Sequence, residues 1–274
     1  MPELPEVETV ARGLEKVFVG RTIRAVTVRR RDLRTPLPKT FEADLKGRTV
    51  LALRRRAKYV LMGLSGGRTL LVHLGMSGTL TFQPTGTPPA THDHVLLAFD
   101  KEPGLRFNDP RRFGLMAVAD THRLNDHPLL AHLGPEPLEP SFTGAALRAA
   151  LGGRTTALKV ALMDNAVVVG VGNIYASESL FRAKLSPFRA AGTLTAPEAT
   201  RLVKNVKEVL AEAIASGGST LRDYVRSDGS LGYFSHRFAV YDRAGQPCPV
   251  CGTPIQKKTQ AQRTTYFCRK CQKA

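Results

Sequence analysis

The first eight residues, MPELPEVE, hold the groups with the clearest chemical potential in the chain. If Met1 is removed, Pro2 becomes the N-terminus, and its α-nitrogen is a secondary amine that can attack an aldehyde-like carbon and form a cationic iminium ion. The pKa of an α-amino group is near ~8, so a useful fraction is unprotonated at neutral pH. Glu3 is the nearest carboxylate in sequence and is suited to donate or shuttle a proton. The pattern therefore predicts a nucleophile beside a general acid.

The same stretch also fits an ordinary amphipathic helix. Pro5 suits the first turn of a helix, and Glu6 and Glu8 favour its positive N-terminal end. The apolar residues that follow have helical spacing, and Gly20 would end the helix. On these residues alone, the structural alternative stays open.

The four cysteines form a second chemical group near the end of the chain. They occur as Cys248-x2-Cys251 and Cys268-x2-Cys271, with 16 residues between the pairs. This spacing fits one structural Zn²⁺ held by four thiolates, with a β-hairpin between the pairs. Two disulfides are the alternative, but the chain starts without a signal pattern, which favours a reducing compartment. Because so small a module buries little surface, the metal would supply its folding energy.

The charge of the chain predicts a polyanionic partner. The net charge is +17 and the isoelectric point is about 10.2. Nucleic acid is the first candidate and an acidic membrane surface the second, but no segment combines a basic face with a broad apolar one. No apolar run approaches the ~18 residues of a membrane span. We expect a cytoplasmic protein without membrane contact, associated with the nucleoid through DNA.

The hydrophobic pattern changes along the chain and predicts an α+β multidomain protein. Short β-branched runs up to residue 118 are typical of an antiparallel sandwich or barrel, which would follow the first helix. Four helices are predicted after a Pro-rich connection, the last opening with a Thr195-x-x-Glu198 capping box. The predicted strands are 22–30, 49–53, 59–64, 69–74, 79–82, 95–99 and 115–118; the predicted helices are 143–151, 156–163, 173–183 and 195–216. The predicted domains are 1–133, a linker at 134–141, 142–237 and 238–274.

One glycine-containing turn has features of a phosphate site. The segment VVVGVGNI at 167–174 runs into a helix, and Asn173 is a good N-cap for that helix. Its free amide groups would favour an anion, and Lys159 would add a positive charge. Tight packing of the glycines and a solvated lysine are the alternatives.

Two further loops hold a residue suited to wedge into a stack of bases. In HLGMSG at 73–78, two glycines flank Met76, and in NDPRRFG at 108–114 Arg111 lies near Phe113. An apolar or planar side chain on a basic protein can fill the gap left when a nucleotide is turned out of DNA. For Phe113, a place in the core is the alternative.

Taken together, these motifs resemble formamidopyrimidine-DNA glycosylases, a family that also includes endonuclease VIII. The resemblance spans the chain, and Leu4 and HLGMSG favour the formamidopyrimidine branch. The motifs are MPELPEVET, RRAKYVL at 55–61, HLGMSG, HDHV at 92–95, DPRRFG at 109–114, LMDN with VVGVGNIYASESLF at 162–181, and AQRTTYFCRKC.

The resemblance implies an activity and residue roles. The protein would be a monomer that binds damaged double-stranded DNA, excises oxidised purines such as 8-oxoguanine and formamidopyrimidines, and nicks the strand by β,δ-elimination in base excision repair. Its second domain would be a helix-two-turn-helix domain, and the 219–233 loop would close on the flipped base. Position 155 departs from the family, because Thr155 stands where a basic residue can contact DNA. The implied roles are Pro2 as Schiff-base nucleophile, Glu3 as general acid with Glu6 supporting, Lys58 and Arg263 in the eliminations, His92, Lys159 and Asn173 on phosphates, Arg111 on the DNA, and Met76, Arg111 and Phe113 in the gap.

Other functions stay open from the sequence. An endonuclease VIII-like glycosylase would act on oxidised pyrimidines. A zinc-dependent DNA-binding protein would lack catalysis. A ribosome-associated zinc ribbon protein would explain the charge and the cysteines, but would leave the N-terminal carboxylates unexplained.

Overall fold

The structure is a computed structural model that describes residues 2–219 and 234–273. These residues form two compact units, 2–131 with 216–219 and 132–215 with 234–273. Among the described residues, no helix has the length and apolar character needed to span a bilayer.

The first unit is an antiparallel β-sandwich preceded by a helix, as the strand pattern predicted. Two four-stranded sheets have the orders β1-β6-β7-β5 and β2-β3-β4-β8, and every pairing in them is antiparallel. The elements are α1 (Leu4–Phe18), β1 (Ile23–Val28), α2 (Phe41–Leu45), β2 (Val50–Arg56), β3 (Tyr59–Leu64), β4 (Arg68–His73), β5 (Thr79–Gln83), β6 (Asp93–Phe99), β7 (Gly104–Asn108) and β8 (Leu115–Asp120).

The core of this unit lies between the two sheets and α1. Apolar residues of both sheets form one buried cluster with the inner face of the helix. Phe18 closes the end of the cluster, with its ring centroid 4.6 Å from that of Phe99 and 6.3 Å from that of Phe82. Burial of this apolar face fixes α1, and therefore its N-terminus, on the sandwich.

The sequence did not predict β7, which has a charged residue at its centre. Arg106 is buried because it donates to a carboxylate oxygen of Asp93 at 3.1 Å and to the carbonyl oxygen of Pro88 at 3.1 Å. A buried ion pair breaks the apolar alternation by which a strand is detected. The short helix α2 was also not predicted.

The second unit is helical and ends in a β-hairpin. The predicted capping box is present, since the backbone N–H and the hydroxyl of Thr195 donate to Glu198 Oε2 at 3.0 and 2.8 Å. The predicted hairpin between the two cysteine pairs is also present. The elements are α3 (Gly144–Leu151), α4 (Leu158–Leu162), α5 (Asn173–Arg182), α6 (Ala196–Ala215), β9 (Gln256–Gln260) and β10 (Arg263–Phe267).

The two compact units differ from the predicted domains in two respects. The predicted linker at 134–141, most of the domain at 142–237 and the zinc-finger domain at 238–274 lie in one unit. Residues 216–219 belong to the sandwich unit, whereas the prediction assigned them to the domain at 142–237. The reason is a buried contact, because Ser219 donates to Glu6 near the start of α1. The predicted loop at 219–233 lies outside the described residues except for Ser219.

Candidate functional site

The N-terminal residues lie at the start of α1, so the helix and the chemical group predicted from the sequence coexist. Glu3 is the N-cap and Pro5 lies in the first turn. Pro2 and Glu3 are buried. The backbone N–H of Glu3 donates to Glu6 Oε2 at 2.8 Å. The positive end of the helix therefore faces the two residues that the sequence predicted as nucleophile and acid.

The other oxygen of Glu6 binds a residue that sequence reasoning missed. Glu6 Oε1 accepts from the backbone N–H of Ser219 at 2.8 Å and from its hydroxyl at 3.0 Å. Both residues are buried. No local pattern links positions 213 residues apart, so only the fold reveals this contact.

Lys58 lies in the two-residue turn between β2 and β3, and a buried arginine holds this turn on α1. Arg55 donates to Glu8 Oε2 at 2.8 Å and to the carbonyl oxygen of Ala57 at 3.0 Å, and its side chain is 8% exposed. Burial alone would raise the pKa of Glu8, but hydrogen bonds from Arg12 and Arg55 leave it below the usual value. The turn and the N-terminal helix are thus joined by a charged pair.

His73, at the end of β4, shares its surroundings with Lys58. Its Nδ1 accepts the backbone N–H of Gly75 at 3.0 Å, and its ring packs 5.0 Å from that of Tyr59. Burial, with the nearby charges of Lys58 and Arg34, lowers the pKa of His73 to about 4. The imidazole is therefore neutral at physiological pH and keeps its Nδ1 lone pair for Gly75.

We call residues 73–78 and 109–114 the wedge loops. Met76 and Phe113 are 38% and 44% exposed, which excludes a core role for Phe113. The guanidinium of Arg111 lies 4.7 Å from the centre of the Phe113 ring. His92, at the start of the neighbouring strand, is also exposed. The wedge loops therefore present an apolar residue, an aromatic ring and a cation to the solvent.

In the second unit, the structure corrects the N-cap prediction for Asn173 and excludes the solvated alternative for Lys159. Gly172, not Asn173, is the N-cap of α5. Asn173 instead donates to the carbonyl oxygen of Thr264 at 3.0 Å and accepts from Lys159 Nζ. Lys159 is 1% exposed and also donates to Thr265 Oγ1 at 2.8 Å. The ammonium is therefore buried rather than solvated, and it joins α4, α5 and β10.

Beside the contacts of Lys159 is an open pocket with a volume of about 400 Å³. Arg263, the first residue of β10, is exposed there, next to a hairpin turn in which Ala261 and Gln262 both have positive φ. Arg154 pairs with Asp164 at 2.8 Å on the same surface, and Thr155 is exposed. The exposed Arg263 at this surface therefore lies at the start of the second strand of the β9–β10 hairpin.

Glu178, which the sequence analysis did not single out, fixes the segment that leads to the cysteines. It is buried on α5 and accepts the backbone N–H groups of Ala239, Val240 and Tyr241 at 2.9, 3.0 and 2.8 Å. Burial raises the pKa of Glu178, although these three donors oppose the shift.

The four cysteines meet at one point. Their Sγ atoms all lie within 4.8 Å of one another, and the pairs Cys248–Cys271 and Cys251–Cys268 are 3.9 and 3.5 Å apart. A zinc ion with bonds of about 2.3 Å to four thiolates at tetrahedral corners separates its ligands by about 3.8 Å. A disulfide would need about 2.05 Å. The donor set therefore fits zinc, and all four cysteines are free thiols.

Comparison with protein families assigns nearly the whole chain. Residues 1–116 match the formamidopyrimidine-DNA glycosylase N-terminal domain, and residues 133–225 match the formamidopyrimidine-DNA glycosylase H2TH domain. Residues 245–274 match a zinc finger found in FPG and IleRS. The last match, together with the cysteine geometry, confirms the predicted zinc site.

Individual proteins are similar over their full length. The formamidopyrimidine-DNA glycosylase of Laribacter hongkongensis is 52% identical, with 100% of each chain covered. The MutM (Fpg) structure from Thermus thermophilus has a TM-score of 0.87 at 43% identity, covering 99% of this chain and 98% of that one. A Lactococcus lactis Fpg mutant in complex with Fapy-dG-containing DNA has a TM-score of 0.93 at 33% identity, with 100% of each chain covered. The Lactococcus lactis protein has also been solved with DNA that contains an abasic site, with a TM-score of 0.92 at 33% identity over 99% of this chain and 100% of that one.

Proposed function

The chain belongs to the formamidopyrimidine-DNA glycosylase family, and on that premise we propose that it excises oxidised purines from duplex DNA and then cleaves the strand as an abasic-site lyase. The arrangement at the start of α1 carries the proposal. Pro2 and Glu3 are adjacent at the start of the helix, and Glu6 fixes the backbone of Glu3, so an N-terminal amine nucleophile would have a carboxyl group held beside it.

The chemistry follows from these residues once Met1 has been removed. The nitrogen of Pro2 attacks C1′ of the damaged nucleotide while the bond to the base breaks, and Glu3 donates the proton that the departing group needs. The attacking amine loses its proton, and the sugar ring then opens as the C1′–O4′ bond breaks and O4′ takes up a proton. The product is an iminium ion between Pro2 and C1′, which makes the neighbouring C2′ proton acidic. Loss of that proton expels the 3′ phosphate by β-elimination, and a second elimination expels the 5′ phosphate. Water then releases the sugar fragment and restores the amine.

Lys58 and Arg263 are assigned to the two eliminations. Lys58 is a cation in a hairpin turn and Arg263 is a cation next to one, and a cation beside a phosphate stabilises it as a leaving group. The contacts of Arg55 with Glu8 and Ala57 support this role for Lys58, because they join its turn to the helix that bears Pro2. For Arg263, exposure at the first position of β10 supports the role.

The net charge of +17 supports duplex DNA as the partner, since phosphate contacts dominate such binding and make it dependent on salt. The exposed Met76 and the stacked Arg111–Phe113 pair would fill the gap left by the flipped nucleotide, with Arg111 reaching the unpaired cytosine. We assign phosphate contacts to His92 and Asn173. We assign Lys159 to orienting Asn173, because its ammonium already binds Asn173 and Thr265. Zinc would hold the β9–β10 hairpin through the four cysteines.

Excision assays on matched duplexes test the proposal. Duplexes with 8-oxoguanine or a formamidopyrimidine opposite cytosine should be cut with phosphate ends on both sides of the gap, and thymine-glycol duplexes should be cut more slowly. A strong preference for thymine glycol would instead favour an endonuclease VIII-like activity.

Borohydride trapping tests the nucleophile. Added to the protein and an abasic duplex, it should link Pro2 to the DNA, and the intact mass should lack one methionine. A variant with an extra residue before Pro2 is the matched control and should form no adduct. The absence of an adduct with the mature chain would leave a DNA-binding protein without catalysis.

A further inference from the structure

We propose that Asp109 is a positioning residue that locks the two wedge loops into one rigid unit, so that Met76 and the Arg111–Phe113 pair enter the DNA gap together. This inference rests on the proposed function. It concerns how the gap is filled, and it assigns no contact with DNA to Asp109 itself.

The carboxylate of Asp109 joins the loops directly. Asp109 is fully buried, and its Oδ1 accepts the hydroxyl of Ser77 at 2.7 Å and the backbone N–H of Arg111 at 3.2 Å. Its Oδ2 accepts the backbone N–H of Gly114 at 2.8 Å. Ser77 follows Met76, whereas Arg111 and Gly114 enclose Phe113. The Asp109 carboxylate therefore binds backbone N–H groups on both sides of Phe113, and it also binds the hydroxyl of the residue that follows Met76.

The backbone of Asp109 is anchored to the sandwich. Its N–H donates to the carbonyl oxygen of His92 at 3.0 Å, and its carbonyl oxygen accepts Nε2–H of the buried His94 at 2.7 Å. His94 lies in β6 (Asp93–Phe99), so Asp109 is hydrogen-bonded to a strand of the sandwich and positions the wedge loops relative to it.

The backbones of the two loops also touch, which leaves them little room to move separately. Gly75 has a φ of +65°, and a Cβ placed on it would lie 2.4 Å from the backbone nitrogen of Gly114. A Cβ on Gly114 would lie 2.6 Å from the Phe107 ring and 3.1 Å from Asp109 Oδ2. The glycines permit this close approach, and the carboxylate supplies the hydrogen bonds that hold it.

Asp109→Asn tests the idea, because an amide offers one acceptor oxygen where the carboxylate offers two. Whichever way the amide turns, its NH₂ faces the N–H of Gly114 or that of Arg111, so one loop contact is lost. The effect should depend on the substrate. A paired lesion in a duplex leaves a gap that the wedges must fill, whereas an abasic site in a single strand leaves none and needs only the Pro2 chemistry.

We therefore compare excision from an 8-oxoguanine·cytosine duplex with borohydride trapping on a single-stranded abasic oligonucleotide. Asp109→Asn should slow the duplex reaction about tenfold or more, the factor expected for one lost buried hydrogen bond, and change trapping by less than about twofold. It should also reduce discrimination between cytosine and adenine opposite the lesion, because Arg111 is no longer held.

Two further variants separate positioning from general stability. Val50→Ala, in the core away from the wedge loops, is the control for lost stability and should leave the ratio of the two rates unchanged. Ser77→Ala removes only the hydroxyl that bridges the loops, and should shift the ratio in the same direction by about threefold. It keeps the test valid if Asp109→Asn fails to fold.

Equal slowing of both reactions by Asp109→Asn, or an unchanged ratio in folded Asp109→Asn or Ser77→Ala protein, would overturn the inference. Failure of the unaltered chain to excise or trap would instead refute the proposed function.

Discussion

Replacing Glu6 by Gln should both destabilise the sandwich unit and slow base excision. Glu6 is buried, and among the described residues its two oxygens accept the N–H of Glu3 and the N–H and hydroxyl of Ser219. Gln is nearly the same size and can keep the side-chain path. The substitution therefore tests the charge and the acceptor count rather than the volume.

The size of the effect follows from these donors. If the Gln oxygen faces Ser219, the Gln NH₂ faces the N–H of Glu3, which then has no acceptor there. If the amide is turned, the NH₂ can donate to the hydroxyl of Ser219, but the N–H of Ser219 loses its acceptor. Either way one buried N–H is left without its acceptor, which costs about 1–3 kcal/mol, and the remaining bonds lose their charge assistance. We expect the free energy of unfolding to fall by about 2–3 kcal/mol.

Denaturant unfolding, with excision measured on the same samples, checks this expectation. Glu15→Gln, on the exposed face of the same helix, is the matched control and should change stability by less than about 0.5 kcal/mol. Excision should fall with Glu6→Gln even where the protein is fully folded, because the side chain can no longer fix the backbone N–H groups of both Glu3 and Ser219. A folded Glu6→Gln protein with unaltered stability and activity would refute the reasoning.

Three other outcomes are expected. Glu3→Gln should leave DNA affinity in a fluorescence anisotropy assay unchanged but abolish base release, since the amide cannot donate the proton as an acid; retained excision would remove the assigned role. Cys268→Ser should lose zinc in native mass spectrometry and weaken DNA binding, and unchanged affinity without zinc would show that the metal is peripheral to binding. The pKa of His73 is about 4 in the folded protein and near 6.5 in the unfolded chain. Between these two values the unfolded state binds more protons, so the free energy of unfolding decreases as the pH falls from 6.5 to 4. At about 1.36 kcal/mol per pKa unit, the loss between pH 7 and pH 4 is about 3 kcal/mol; His73→Asn, which keeps an acceptor for Gly75, should flatten that part of the pH profile in urea unfolding, and an unchanged slope would contradict the assignment.

Elements with a regular pattern could be predicted from the sequence, whereas those with buried charge could not. The spacing of Val7, Val10 and Leu14 predicted α1, and Thr195 with Glu198 predicted the start of α6, because both signals are local. The strand β7 was missed since Arg106 occupies a core position that is tolerable only beside Asp93. Asn173 has the chemistry of an N-cap, but the lysine that reaches it from α4 gives its side chain a different use.

The sequence by itself determined which chemical groups the protein has: a proline at position 2 with a carboxylate beside it, four cysteines at zinc spacing, two wedge loops that contain glycine and a large positive charge. Residue type and short spacing suffice for these features, because they depend on neighbours along the chain. Only the tertiary structure decided how the groups are held. Four polar contacts join residues that are distant in sequence: Ser219 with Glu6, Arg55 with Glu8, Lys159 with Asn173, and Asp109 with both wedge loops. An unpaired polar group in the interior is costly, so burial of these side chains requires the contacts.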